Sequence, residues 1–207
     1  VTKQERAVRT RRSLIRAAAE VFVEQGFASA SLQVISKRAG VSTGALHFHY
    51  PTKESLAQAV QDEAARLLAV IAEGRARAEP RALQDLVDAT YRLVSGLADD
   101  VVLRAGFELG VTVRRDAGAD LWQAWQRCVE GALRRVVAQG ELAEGVSADG
   151  AAACIVAATV GFEVLGGRDR AWLSEGRVAA LWRLLLPGLA DGGALEKVSP
   201  RPTCAAC

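Results

Sequence analysis

Apolar residues recur at helical spacing from near the start of the chain. Leu14, Ala17, Ala18, Val21 and Phe22 fall on one face and predict a first helix over about 6–25, closed by Gly26 as its cap. Ser31 can cap a second helix, Leu32–Arg38. Gly40 supplies a tight turn, and Ser42 can cap a third helix, Thr43–His49, which Pro51 stops. Thr52 starts a long fourth helix over 53–77, with Ser55 where a full capping box carries Glu or Gln. After Glu79 and Pro80, further helices are expected at 81–98, 100–113, 118–139, 148–165 and 172–190. Asp99-Asp100, Gly118, Gly140, Gly166-Gly167 and Pro187-Gly188 mark the breaks. No stretch alternates with a period of two and no segment repeats. The expectation is an all-α chain: a three-helix head over 1–52, joined by a long helix to a larger helical bundle over 53–193, with a flexible tail over 194–207.

Composition supports a packed helical protein. Half of the 207 residues are apolar and 24% are charged and dispersed, which excludes a disordered chain. The net charge of +2 conceals an asymmetry. Residues 1–55 hold nine Lys/Arg and four Asp/Glu, a net of +5, so the remaining residues carry −3. Lys3, Arg6, Arg9, Arg11, Arg12 and Arg16 sit against Glu5 alone in the opening segment. A basic head on a mildly acidic body points to a polyanion met by the head only.

Several classes of chemistry find no support. Both histidines, His47 and His49, lie in the head, and no nucleophile–base–acid arrangement, glycine-rich phosphate loop or metal-ligand spacing occurs. No catalytic residue, metal or cofactor is therefore expected. Cys128 and Cys154 sit singly in apolar helical patterns and read as small buried hydrophobes, while Cys204 and Cys207 fall in the tail. No uninterrupted apolar run reaches the ~18 residues needed to span a bilayer, and no secretory leader is visible; a reducing cytoplasm is the expected compartment.

The informative stretch is 31–56, SLQVISKRAGVSTGALHFHYPTKESL. Two short helices around a glycine-containing turn match a helix-turn-helix, whose second helix enters the major groove of DNA. At 100° per residue, Ala45, Leu46, His49 and Tyr50 share one face, suited to packing on Leu32, Ile35 and Ala39. Thr43, Gly44, His47 and Phe48 share the other, free to face DNA. Thr43 can bond a base edge or phosphate, Gly44 permits close approach, and His47 can donate or accept. Lys53 would add charge to a helix start already suited to phosphate. Ser31, Ser42, Arg9 and Arg12 complete the candidate DNA-facing set.

Residues 9–56 resemble the DNA-binding head of the TetR family. Phe22, Gly26, Phe27, Ile35, Ala39-Gly40-Val41-Ser42, Gly44, Leu46, Phe48-His49-Tyr50 and Lys53-Glu54 carry the likeness. The chain departs from it at Thr43 and His47, where that family often has lysine and tyrosine. The resemblance implies a homodimer on a pseudo-palindromic double-stranded operator, with a C-terminal bundle that dimerises and holds a small molecule. The apolar segment 148–165 and the helix over 172–189, with Trp172, Val178, Leu181, Trp182, Leu185 and Leu189, suit a four-helix interface between two copies, with an ordinary core as the alternative.

VVLRAGFELG at 101–110, LWQAWQ at 121–126 and VGFEVLGG at 160–167 are similar to the γ-butyrolactone autoregulator receptors, a TetR branch that includes pseudo-receptors answering to antibiotics. The resemblance implies that Trp125 lies over a lactone ring, with Trp122 as packing or pocket wall and Phe107 and Phe162 in the same stretches. Thr159, a lone hydroxyl among apolar residues, can bond a ligand oxygen or its own helix carbonyl four residues back. The functional expectation is a repressor released from its operator by a γ-butyrolactone-like molecule or an antibiotic. A multidrug-sensing repressor with a loose aromatic pocket is the alternative.

Overall fold

The computed structural model describes residues 3–73, 81–112 and 120–203. Among these, the helices are α1 (Lys3–Ser29), α2 (Leu32–Arg38), α3 (Thr43–His49), α4 (Lys53–Glu73), α5 (Ala82–Asp99), α6 (Val101–Thr112), α7 (Leu121–Ala138), α8 (Ala148–Gly166), α9 (Glu175–Leu189) and a short α10 (Gly192–Leu195). A 3₁₀ turn, Arg170–Leu173, precedes α9. The described residues contain no strand, only an isolated antiparallel bridge between Leu142 and Ala190. The all-α expectation holds, and its helix boundaries fall within a few residues of those observed. The expected end of the fourth helix near 77 lies outside the described residues, as do Cys204 and Cys207.

The chain divides into two compact units, one of residues 1–67 and 100–121, the other of 68–99 and 122–207. This division differs from the boundary expected at 52/53. The first unit takes in most of α4 and all of α6, because α6 packs on α1: Val102, Ala105 and Leu109 share one core with Leu14, Ala18, Val21 and Phe22. Ile35, Leu46, Tyr50, Leu56 and Val60 complete it. Gly106 lets α6 approach α4 closely, since a Cβ there would stand 2.3 Å from the Ala64 Cβ. Gly26, at φ 76° and ψ 154°, leaves the helical conformation and breaks α1 where the sequence places its end; a further short helical stretch runs on to Ser29. At the start of α4 the Ser55 amide donates to the Thr52 hydroxyl at 3.1 Å and the Thr52 amide to the Ser55 hydroxyl at 3.2 Å. Serine thus completes the reciprocal box for which the motif calls for Glu or Gln.

The second unit is built around α5, whose Leu83, Leu86, Val87, Thr90, Leu93 and Leu97 are all buried. Trp182 on α9 is fully buried and its indole N–H donates to the Thr90 hydroxyl at 2.7 Å. The expectation of a flexible tail from 194 is corrected over 194–203. After α10, the chain lies along α5: the Ser199 amide donates to Gln84 Oε1 at 2.7 Å, and Tyr91 donates to the Pro200 carbonyl at 2.8 Å. The Thr203 hydroxyl donates to Asp88 at 2.8 Å. Buried Gln84 and Asp88 thereby exchange the cost of desolvation for bonds to a backbone that would otherwise stay in water.

Helix α8 is long and apolar enough to cross a membrane by length and composition alone, with 22% of its most apolar window buried. It carries Asp149 and Glu163 and sends Ala152, Ile155, Thr159 and Phe162 into the second unit. Cys154 is exposed on it, against the expectation of a buried hydrophobe, because it lies on the side away from that inward row.

Candidate functional site

The head presents α3 on a rigid frame. The Ser31 hydroxyl accepts from the Val34 amide at 3.3 Å and starts α2; the Ser42 hydroxyl accepts from the Ala45 amide at 3.1 Å and starts α3. Gly40 turns the chain between them at φ 69°, a conformation costly for residues with a Cβ. Fully buried Ile35 and Leu46 pin the two helices to the core. The remaining faces follow from helical periodicity. Thr43, Gly44 and His47 are exposed, and Phe48 is 85% exposed, whereas Tyr50 is buried and Ala45 and His49 are half-buried.

Local hydrogen bonds aim the exposed polar groups. Buried Ser36 donates to the Gln33 carbonyl at 3.0 Å, and its oxygen lies 3.2 Å from the Thr43 hydroxyl. The Nδ1 atom of His47 lies 3.2 Å from the Pro51 carbonyl oxygen. On α1, Arg11 donates to the Tyr50 hydroxyl at 3.0 Å, tying the basic helix to the end of α3. Burial raises the Tyr50 phenol above its ordinary pKa, with the Arg11 guanidinium opposing the shift. Arg9 and Arg12 are exposed and line a shallow hollow on α1 with Val8, Ser13 and Arg16. At the outer edge of the head, Arg38 grips Glu24 through two bonds of 2.8 and 2.7 Å, which lower the carboxyl's pKa and raise that of the guanidinium.

Lys53, expected at a phosphate, also has partners within the chain. Its ammonium donates to the carbonyls of Phe27, Ala28 and Ala30 at 2.8, 3.0 and 3.0 Å. It also lies 4.6 Å from the centre of the Phe27 ring. An ammonium has three protons, so all three are committed. Lys53 closes the open carbonyl end of α1, and the cation suits a helix C-terminus.

The candidate ligand residues fall in both units. Trp125 on α7 is fully buried, and its indole N–H donates to the Thr159 hydroxyl of α8 at 2.9 Å. Thr159 in turn donates to carbonyls of its own helix, Ile155 at 3.0 Å and Val156 at 2.9 Å. Of the two roles open to Thr159, the structure shows the backbone bond. Phe162, one turn further on α8, is buried, and Trp122 is half-buried. Phe107, on α6, is buried in the first unit. Beside this pair on α7, half-buried Cys128 has its thiol pKa raised by burial.

Sequence reasoning missed Ser36, Pro51, Thr90 and the tail contacts of Gln84 and Asp88. Ser36 left one usable signal: a small polar residue on the inward face of α2, next to Ile35, needs a partner. Thr90 and Trp182 are 92 residues apart and left none.

An exposed second helix on a capped and packed helix-turn-helix, beside a basic α1, defines a DNA-binding regulator of the helix-turn-helix class. Residues 14–60 match the bacterial regulatory proteins of the tetR family. The chain is 34% identical over 202 residues to the A-factor receptor protein of Streptomyces griseus, covering 97% of this chain and 71% of that one. It therefore belongs to the tetR family of bacterial regulatory proteins, which are DNA-binding repressors and not enzymes. A crystal structure of a gamma-butyrolactone receptor, ArpA-like, superposes with a TM-score of 0.77 at 28% identity, covering 93% of this chain and 94% of that one. CprB from Streptomyces coelicolor, solved in complex with its operator, superposes with a TM-score of 0.74 at 28% identity over 93% and 94% of the two chains.

Proposed function

We propose that this protein is a ligand-released repressor of the γ-butyrolactone receptor type. Two copies grip a pseudo-palindromic operator through α3, and a small molecule bound in the second unit weakens that grip. The observation that carries the reading is likeness along almost the whole chain, 97% of it, to the A-factor receptor protein, and not along the head alone. The outward residues Ala153, Cys154, Ala157 and Val164 of α8 and Leu184 of α9, which is 81% exposed, supply an apolar face for the second copy. Exposed Thr43, Gly44, His47 and Phe48, with Arg9, Arg12 and the capping hydroxyls of Ser31 and Ser42, form the DNA-facing set.

The effector site is proposed around Trp125, with Trp122, Thr159 and Phe162 as neighbours along α7 and α8. Trp125 offers a large flat face, but its N–H is already bonded to Thr159. A lactone there would stack on the indole and either take over the Thr159 bond or leave it intact. Ligand binding shifts a two-state equilibrium only by its differential affinity for the two states. A coupling of the usual ~1–3 kcal/mol lowers operator affinity about 5–150-fold.

The test is an operator titration with γ-butyrolactones and then antibiotics. Release by a lactone, abolished in Trp125→Phe with DNA binding retained, supports the reading. Release by many unrelated compounds would replace it with a multidrug sensor. An operator affinity that no compound changes would leave a DNA-binding protein without an effector.

A further inference from the structure

The exposed side of α3 carries two parallel rows. Thr43 and His47, four residues apart, form a polar row; Gly44 and Phe48, the next positions round the helix, form an apolar one. Phe48 is 85% exposed, more than any other bulky apolar residue among the described residues. Its ring is braced from behind. It meets the half-buried His49 ring edge-on, with centroids 5.4 Å apart, and His49 lies 6.5 Å from the ring of buried Tyr50. Arg11 bonds the Tyr50 hydroxyl at 3.0 Å. Three consecutive aromatic residues thus run from the core to the surface, and the outermost stands in water.

Gly44 is not explained by the protein's own packing. Its backbone is helical with no positive φ, and a Cβ placed on it would meet nothing within 4 Å. Alanine would fit there and favours a helix over glycine. What glycine leaves is space. A helical side chain leans over the turn before its own Cα, so the Phe48 ring borders the open position one turn back. The result is a slot with bare backbone as its floor and an aromatic ring as one wall. Neither residue brings a side-chain donor or acceptor to it.

We infer that the slot between Gly44 and Phe48 reads the C5 methyl group of one thymine in each half-site of the operator. That methyl is the only one among the major-groove edges of the four bases. An A·T pair, either way round, carries one methyl and a G·C pair carries none, so a slot that seats it tells the two classes apart. A purine at the same place would set its N7 acceptor against the ring with no donor to meet it, and cytosine would leave the slot unfilled. This inference rests on the proposed DNA-facing role of α3, and it adds the base feature that the apolar row recognises.

The test begins with selection by the full-length protein from a library of randomised pseudo-palindromic duplexes, read by sequencing. Each thymine of one half-site of the selected operator is then replaced in turn by deoxyuridine, which removes the methyl and keeps the base pairing. At one of these thymines the wild-type affinity should fall about fourfold, the equivalent of ~0.8 kcal/mol for one buried carbon. Phe48→Ala and Gly44→Ala should each bind the thymine and deoxyuridine forms alike at that position. Both should stay folded, since one trims an exposed ring and the other adds a methyl in open space; Gly44→Ala should unfold at no lower denaturant concentration than the wild type. Exchanging that A·T pair for G·C should weaken wild-type binding, and 5-methylcytosine in place of the cytosine should recover about fourfold.

A wild-type protein indifferent to deoxyuridine at every thymine would overturn the inference and leave the operator-binding role standing. So would a methyl effect that persists undiminished in either variant, which would place the Phe48 ring against sugar and phosphate instead. A library with no enrichment at all would overturn the DNA-facing role of α3 together with it.

Discussion

In the second unit, Trp125 and Trp182 are both fully buried, and each indole N–H donates to a threonine that bonds a carbonyl of its own helix. In the first unit, Thr43 and His47 are exposed, and each uses one hydrogen bond to the protein while its other side faces water. The same residue chemistry is closed in one place and left half-open in the other. A closed pair stabilises the fold and asks nothing of a partner. A half-open group adds little to the fold and is ready for an outside bond. The two Trp–Thr pairs also warn against reading function from burial, because Trp182 and Thr90 repeat the geometry of Trp125 and Thr159 without any resemblance pointing to them.

The largest effect expected from this contrast is on the buried rings. Trp182→Ala should lower unfolding stability by ~3–5 kcal/mol in a denaturant titration, and Trp125→Ala by a similar amount without ligand. If Trp125→Ala costs far less than Trp182→Ala, the two pairs are not equivalent and the surroundings of Trp125 are not packed as a core. Next come the hydroxyls. Thr90→Val and Thr159→Val each leave a buried indole N–H without its acceptor and should each cost ~1–3 kcal/mol. Only Thr159→Val should also change the response to a lactone.

Lys53 lies between the two extremes, half-buried in the head and holding three carbonyls. Lys53→Met should lower stability by ~1 kcal/mol, a value near that of ordinary net hydrogen bonds. The salt dependence of operator binding should keep its slope. If Lys53 instead neutralised a phosphate, the substitution would flatten the slope of log affinity against log salt by ~1. The smallest change in stability is expected at the reading face. Thr43→Val should stay within ~0.5 kcal/mol of the wild type while operator affinity falls, since exposed positions contribute little to folding. A large loss of stability there would move Thr43 into the closed class.

Helix starts were legible because capping is local: Ser31 and Ser42 bond amides three residues on, within the reach of sequence reasoning. The exposed face of α3 was legible for a related reason, since a 3.6-residue period fixes which side chains share a side once Leu46 is buried. Less was legible where an unfamiliar residue met a familiar rule. Ser55 completes the box at Thr52 although the motif calls for a longer side chain.

By itself the sequence determined the all-helical fold, the capped helix-turn-helix, the outward row of Thr43, Gly44, His47 and Phe48, and kinship with the tetR regulators. All of these depend on residues a few positions apart or on a pattern summed along one helix. Only the tertiary structure decided that Lys53 closes α1 from 23 to 26 residues away, that α6 joins the first unit's core, and that Asp88 and Gln84 hold the chain 115 to 117 residues further on. The physical reason is common to these cases. A polar side chain declares its chemistry in the sequence, but its partner is chosen by packing, and packing brings together positions that the order of residues keeps apart.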